Sequence, residues 1–244
     1  MKELLTMLHP KYPLKWHKKN FSIKIFCSIP NIATGILIKA GENYLIVDPG
    51  DGILRDINRE ISPKKILTIS DLYITHGHHD HIGGVWSLLT YMRVMNKRTP
   101  LTIHFPQNCV EIESIYKAFK KVYSKTISYE IKLNIISGSK SYKSNGVRVK
   151  PFPVIHKEYL HDGVSTKLVP ALGYKFTYED LNICYGGDTA YCTDLVKNAK
   201  NSDLAIIEAG HDEDTPDELH MTITEAKSIG ESAKEYFLVH VPEG

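Results

Sequence analysis

Thr75-His76-Gly77-His78-His79-Asp80-His81-Ile82-Gly83-Gly84 is a dense internal run of metal-seeking side chains in a chain of 244 residues. Imidazole nitrogen and carboxylate oxygen both suit a borderline divalent cation such as Zn²⁺, and a catalytic site keeps one position open for water. Leu72 to Thr75 reads as a short apolar strand, so the donors begin where the backbone leaves a sheet. On a loop there, His76 and His78 can converge on one ion, and Asp80 and His81 can reach a second beside it. His79 falls at a spacer position and is expected behind the ligands or exposed. Gly83-Gly84 allows tight passage into the helix that follows.

Upstream, Phe21 to Phe26, Ile36 to Lys39 and Tyr44 to Val47 are strand-like, an antiparallel start that ends in the acid and glycine loop Asp48-Pro49-Gly50-Asp51-Gly52. Residues 53 to 60 read as a helix. Downstream, Val85 to Met95 and Glu111 to Tyr123 have helical spacing, the second with Ile112, Ile115, Tyr116, Phe119 and Val122 on one face. Strands are expected at Leu101 to Phe105, Tyr129 to Ile136, Val147 to Val154, Gly173 to Tyr178 and Leu181 to Tyr185. The chain then alternates: helix from Asp194 to Lys200, strand Leu204 to Glu208, helix from about Ile223 to Ala233, strand Tyr236 to His240. Sheet-forming segments followed by helix-strand units point to two packed sheets with helices on the outer faces.

The length suits a single domain covering residues 1–244. A formal charge of +2 is too small to imply nucleic acid, although Lys117, Lys120, Lys121, Lys125, Lys132, Lys140, Lys143, Arg148 and Lys150 make the middle basic. The late region is acidic, through Asp203, Glu208, Asp212, Glu213, Asp214, Asp217 and Glu218. Cys27, Cys109, Cys184 and Cys192 are scattered, without the spacing of a zinc ribbon or a disulfide framework. The apolar run Leu4 to Leu8 is too short for a targeting segment, and no stretch reaches membrane-spanning length. A reduced cytoplasmic compartment and no membrane partner are expected.

The central run resembles the HxHxDH signature of the metallo-β-lactamase superfamily. That resemblance implies an α/β fold, the αββα four-layer sandwich, and other residues follow in the family's order. Asp48 resembles the early Asp that buttresses the metal loops. His156, after the strand ending at Val154, matches the isolated third His of a first metal site. Asp188, in Gly186-Gly187-Asp188-Thr189, matches the carboxylate that bridges both metals, and His240 matches the final His of the second. The implied metal ligands are therefore His76, His78, Asp80, His81, His156, Asp188 and His240, around two Zn²⁺, with Mn²⁺ or Fe²⁺ as alternatives. The iron-dependent redox branch typically carries a carboxylate in place of one early His, so His76 and His78 favour hydrolysis.

Two features point within the superfamily. Thr222 and Glu225 have capping-box spacing, which leaves His220 on the loop before a helix. Glu208 ends a buried strand. Both resemble ribonuclease Z and related phosphodiesterases, where a Glu and a His at corresponding places form a proton-donating pair. The implied activity is a dinuclear zinc phosphodiesterase: a metal-bridged hydroxide attacks phosphorus, with Asp80, His220 and Glu208 as the catalytic residues. Its substrate would be an RNA end, a cyclic nucleotide or a small phosphodiester, and relatives imply a homodimer. Between His156 and Asp188 there is room for a β-hairpin but not for the long arm with which many ribonucleases Z grip transfer RNA. Two other readings stay open: a metal-dependent hydrolase of a thioester, lactone or β-lactam, and an RNA-binding scaffold without catalysis.

Overall fold

The structure is a computed structural model that describes residues 11–27, 35–211 and 219–241. The chain divides into two compact units, one spanning Lys15–Ile136 and one made mainly of Ser137–Gly244. The Leu4 to Leu8 run and Asp212, Glu213, Asp214, Asp217 and Glu218 lie outside the described residues.

The first unit holds β1 (Leu14–Lys18), β2 (Phe21–Phe26), β3 (Gly35–Ala40), β4 (Asn43–Val47), α1 (Ile53–Glu60), α2 (Pro63–Ile66), β5 (Asp71–Tyr73), α3 (His79–Ile82), α4 (Val85–Val94), β6 (Leu101–Pro106), α5 (Val110–Tyr123) and β7 (Ile131–Ile136). Its seven strands lie in sequence order in one sheet. β2, β3 and β4 pair antiparallel, with Ile25 opposite Ile36 and Ile38 opposite Leu45. From β4 onward the pairing is parallel. Parallel neighbours need a crossover, and α1 with α2, α3 with α4, and α5 supply the three that the sheet requires. Leu72, Ile103 and Phe105 from the strands and Ile74 just past β5 bury with Ile57, Leu88, Met92, Ile112 and Phe119 from the helices in one apolar cluster. On neighbouring positions β5, β6 and β7 are tied by polar side chains: His104 Nε2 lies 2.7 Å from Asp71 Oδ1, and its Nδ1 2.8 Å from Asn134 Nδ2.

The second unit holds β8 (Tyr142–Ser144), β9 (Val147–Pro153), β10 (His156–Tyr159), β11 (Thr166–Val169), β12 (Leu172–Tyr178), β13 (Leu181–Tyr185), α6 (Thr193–Ala199), β14 (Leu204–Glu208), α7 (Ile223–Gly230) and β15 (Tyr236–Val239). Six strands form a sheet in the order β15-β14-β13-β12-β9-β8, and β10 with β11 makes the separate hairpin expected between His156 and Asp188. Phe152, Cys184, Leu195, Ile207, Ala226 and Leu238 centre its core. α7 opens on the expected capping box, with Thr222 accepting from the Glu225 amide and Glu225 from the Thr222 amide.

Four short elements escape a reading by periodicity: β1, α2, α3 and β8 are each five residues or fewer. The predicted apolar face of α5 needs one correction, since Val122 is 62% exposed. Among the described residues no helix is long and apolar enough to cross a membrane.

Candidate metal centre

Each unit carries metal-type donors at strand ends, where α/β sheets commonly place their sites. In the first, β4 ends at Asp48 and β5 leads into Thr75 and the histidine run. Asp48 takes a left-handed backbone conformation, φ 45°, that turns its carboxylate back across the neighbouring strand end. Its Oδ1 accepts from the Thr75 amide at 2.7 Å, and its Oδ2 lies 2.9 Å from His81 Nδ1. Asp48 thus ties the end of β4 to Thr75 and His81.

The expected loop tightens after His78 into the four-residue helix α3, with the His81 and Ile82 amides both bonding to the His78 carbonyl. One helical turn sets Asp80 and His81 beside the rings of the extended segment before it. His76 lies 4.7 Å from His78 and 4.1 Å from His81, ring centroid to centroid. His79 is exposed, as its spacer position predicts. With the His81 Nδ1 hydrogen directed at Asp48, the Nε2 lone pair faces Asp80 Oδ2 at 3.4 Å. Two electron-rich atoms side by side fit a divalent cation, and a neutral, oriented imidazole beside a carboxylate is the donor chemistry such an ion requires.

In the second unit, His156 is buried at the first position of β10. β13 passes through Gly187, at φ 64° a turn that glycine makes without strain, to reach Asp188. His240 follows β15 in a left-handed conformation, φ 57°, and its Nε2 sits 3.7 Å from Asp188 Oδ2. Non-glycine residues held there carry strain that the surroundings must support.

Thr189 is the tie that sequence reading missed. Its hydroxyl accepts from the Ile155 amide at 3.1 Å and lies 3.1 Å from the Ile155 carbonyl, while its own amide donates to Glu208 Oε1 at 3.0 Å. One buried residue, through its hydroxyl and its amide, therefore joins the segments that carry His156, Asp188 and Glu208. The contact spans 34 residues, so no local pattern could have announced it.

Glu208 is fully enclosed and pairs with His220, Oε1 to Nδ1 at 3.0 Å. Burial pushes its carboxyl above the usual range, and the hydrogen bond and charge of His220 pull the other way. The His220 ring stands 5.5 Å from that of His156 and stacks at 6.0 Å on that of His240. Glu208 and His220 are thus held together beside the rings of His156 and His240.

Residues 43–240 match the model of the β-lactamase superfamily domain, and the chain belongs to that superfamily. It has the metallo-β-lactamase fold and is a hydrolase with a His and Asp cluster suited to divalent metal. It is 23% identical to ribonuclease Z of Methanothermobacter thermautotrophicus over 252 aligned positions, covering 85% of this chain and 80% of the relative. The crystal structure of the metallo-β-lactamase fold protein YhfI from Bacillus subtilis aligns with a TM-score of 0.68 at 23% identity, over 87% of this chain and 79% of that one. The short form of human tRNase Z aligns with a TM-score of 0.67 at 19% identity, over 85% of each chain.

Proposed function

We propose that the chain is a dinuclear zinc phosphodiesterase in which residues 1–244 act as one domain. In this reading His76, His78 and His156 would serve one ion, and Asp80, His81, Asp188 and His240 the other. Both donor types present, carboxylate and imidazole, are ordinary zinc ligands, and Mn²⁺ or Fe²⁺ would be accepted by the same set. Bound there, divalent cations would bring the pKa of water down to about 7 and stabilise charge on phosphoryl oxygens.

The observation that carries the phosphodiesterase reading is the Glu208–His220 pair. Glu208 accepts from the amides of Thr189 at 3.0 Å, Met221 at 3.4 Å and Gly210 at 2.6 Å, besides His220. Fixed from four directions, it would hold the His220 Nδ1 hydrogen and orient the ring, leaving Nε2 as the position for a transferable proton. His220 would give it to the oxygen that leaves when a phosphodiester is cleaved, the step that alkoxide departure makes costly. A similar named relative, ribonuclease Z, supports an RNA end as substrate, with a cyclic nucleotide or small phosphodiester in the same chemical class.

Zinc-loaded protein offered bis-p-nitrophenyl phosphate, a thioester and a chromogenic cephalosporin should turn over the phosphodiester alone, and Asp80→Ala should abolish that turnover. His220→Ala should lower kcat by about 10² to 10⁴ with zinc content unchanged. Cleavage of only the carbonyl substrates would select the thioester, lactone or β-lactam reading. Tight, salt-sensitive RNA binding without turnover would select a scaffold.

A further inference from the structure

We infer that Thr75 is a positioning residue: its hydroxyl determines which ring nitrogen of His76 carries hydrogen, and through it the Asp48 carboxylate orients two of the proposed ligands at once. A hydrogen inventory of the group leads there. Thr75 Oγ1 lies 2.6 Å from Asp48 Oδ2, 3.1 Å from His76 Nδ1 and 3.4 Å from His81 Nδ1. A carboxylate oxygen can only accept, so the short contact uses the single hydroxyl hydrogen of Thr75. The hydroxyl then presents only lone pairs to its other neighbours.

His81 directs its Nδ1 hydrogen at Asp48 Oδ2, 2.9 Å away, so the longer approach to Thr75 is a minor branch. The hydrogen between Thr75 and His76 must come from the ring, which makes His76 the Nδ1–H tautomer with its lone pair on Nε2. The opposite tautomer would set a nitrogen lone pair against oxygen lone pairs at 3.1 Å with nothing between them. Asp48, Thr75, His76 and His81 are all at most 1% exposed, so bulk water does not compete for these bonds. Asp48 thus sets His81 directly and His76 through one hydroxyl, and both rings turn Nε2 outward as donors.

The tautomer follows from this geometry alone; only its effect on cation binding rests on the proposed metal function. Long-range proton–nitrogen correlation on the full-length protein, before and after zinc is added, reads the ring nitrogens directly. His76 should carry hydrogen on Nδ1 in both states. Thr75→Val keeps the shape and removes the hydroxyl, so the hydrogen should move to Nε2 in the zinc-free protein, and zinc affinity by chelator competition should fall about tenfold or more. Thr75→Ser restores the hydroxyl and should return the tautomer, with affinity within about threefold of the parent, a rescue that a purely steric role of Thr75 would not show. An Nε2–H signal for His76 in the parent protein, or an unchanged tautomer and affinity in Thr75→Val, would overturn the inference. If the parent protein takes up no zinc, the proposed function fails while the parent spectrum still decides the tautomer.

Discussion

Gly77, inside the ligand run, and Gly84, just after it, are glycines for different reasons. A Cβ at Gly77 would run into the carboxylate of Glu111, the flexible end of a side chain on the first turn of α5. At Gly84 it would meet the backbone carbonyls of Gly50 and Pro49, which have nowhere to go. Gly77→Ala should therefore destabilise the fold only through Glu111, and Glu111→Ala should relieve it, with a coupling of about 1 kcal/mol in a double-mutant cycle by chemical denaturation. Gly84→Ala should cost about 1–3 kcal/mol whichever side chain is trimmed nearby. Additive effects of the Gly77 and Glu111 substitutions would show that they do not press on each other. Residues of this kind divide cleanly by legibility. His76, His78, Asp80 and His81 could be picked from the sequence because their donors cluster within six positions. Thr75, Thr189 and Glu111 could not, because what they touch lies far along the chain.

At the scale of elements, the parallel strand ends do the delivering, and the crossovers must be held for them to stay in line. Lys97, between α4 and β6, is 1% exposed and donates to the carbonyls of Leu67 and Ile69 and to Thr99 Oγ1. It pins the connection before β5, the strand that leads into the metal run. Burial lowers its ammonium from 10.5 to about 8. The unfolded chain then keeps this proton up to about 10.5 while the native protein releases it near 8, so between those values the unfolded state binds more protons and stability rises with pH. Integrated over the window this amounts to about 3 kcal/mol at most. Urea unfolding at pH 8 and pH 10 should show the native protein gaining stability relative to Lys97→Met, and equal slopes for the two would remove Lys97 from the account. Strands β2 to β6 and helices α1, α4 and α5 could be placed from hydrophobic period. A four-residue turn such as α3 has no period, and only the bonds to the His78 carbonyl reveal it.

For the whole molecule, Cys109 and Cys184 report on the two units separately. Cys109 caps α5 within Lys15–Ile136, and Cys184 lies in β13 of the other unit. Both are buried free thiols, and burial pushes each up to about 12, so neither reacts until its surroundings open. If the chain folds as one domain, both should become reactive to a maleimide at the same urea concentration, after the half-buried Cys27. Separated transitions would mean that the units unfold independently. Sequence alone determined the donor chemistry, the superfamily and the order of most strands, because metal ligands of one loop and the apolar period of one element are local properties of a chain. It also nominated His156, Asp188, Glu208, His220 and His240, but only through a family resemblance in order, supported by their positions at element ends. That Glu208 and His220 form a pair, that Thr189 ties three loops, and that Asp48 reaches His76 through Thr75 were decided by tertiary structure. Those contacts depend on hydrogen bonds made between segments remote in sequence, where each side chain's partner is chosen by the fold and not by its neighbours along the chain.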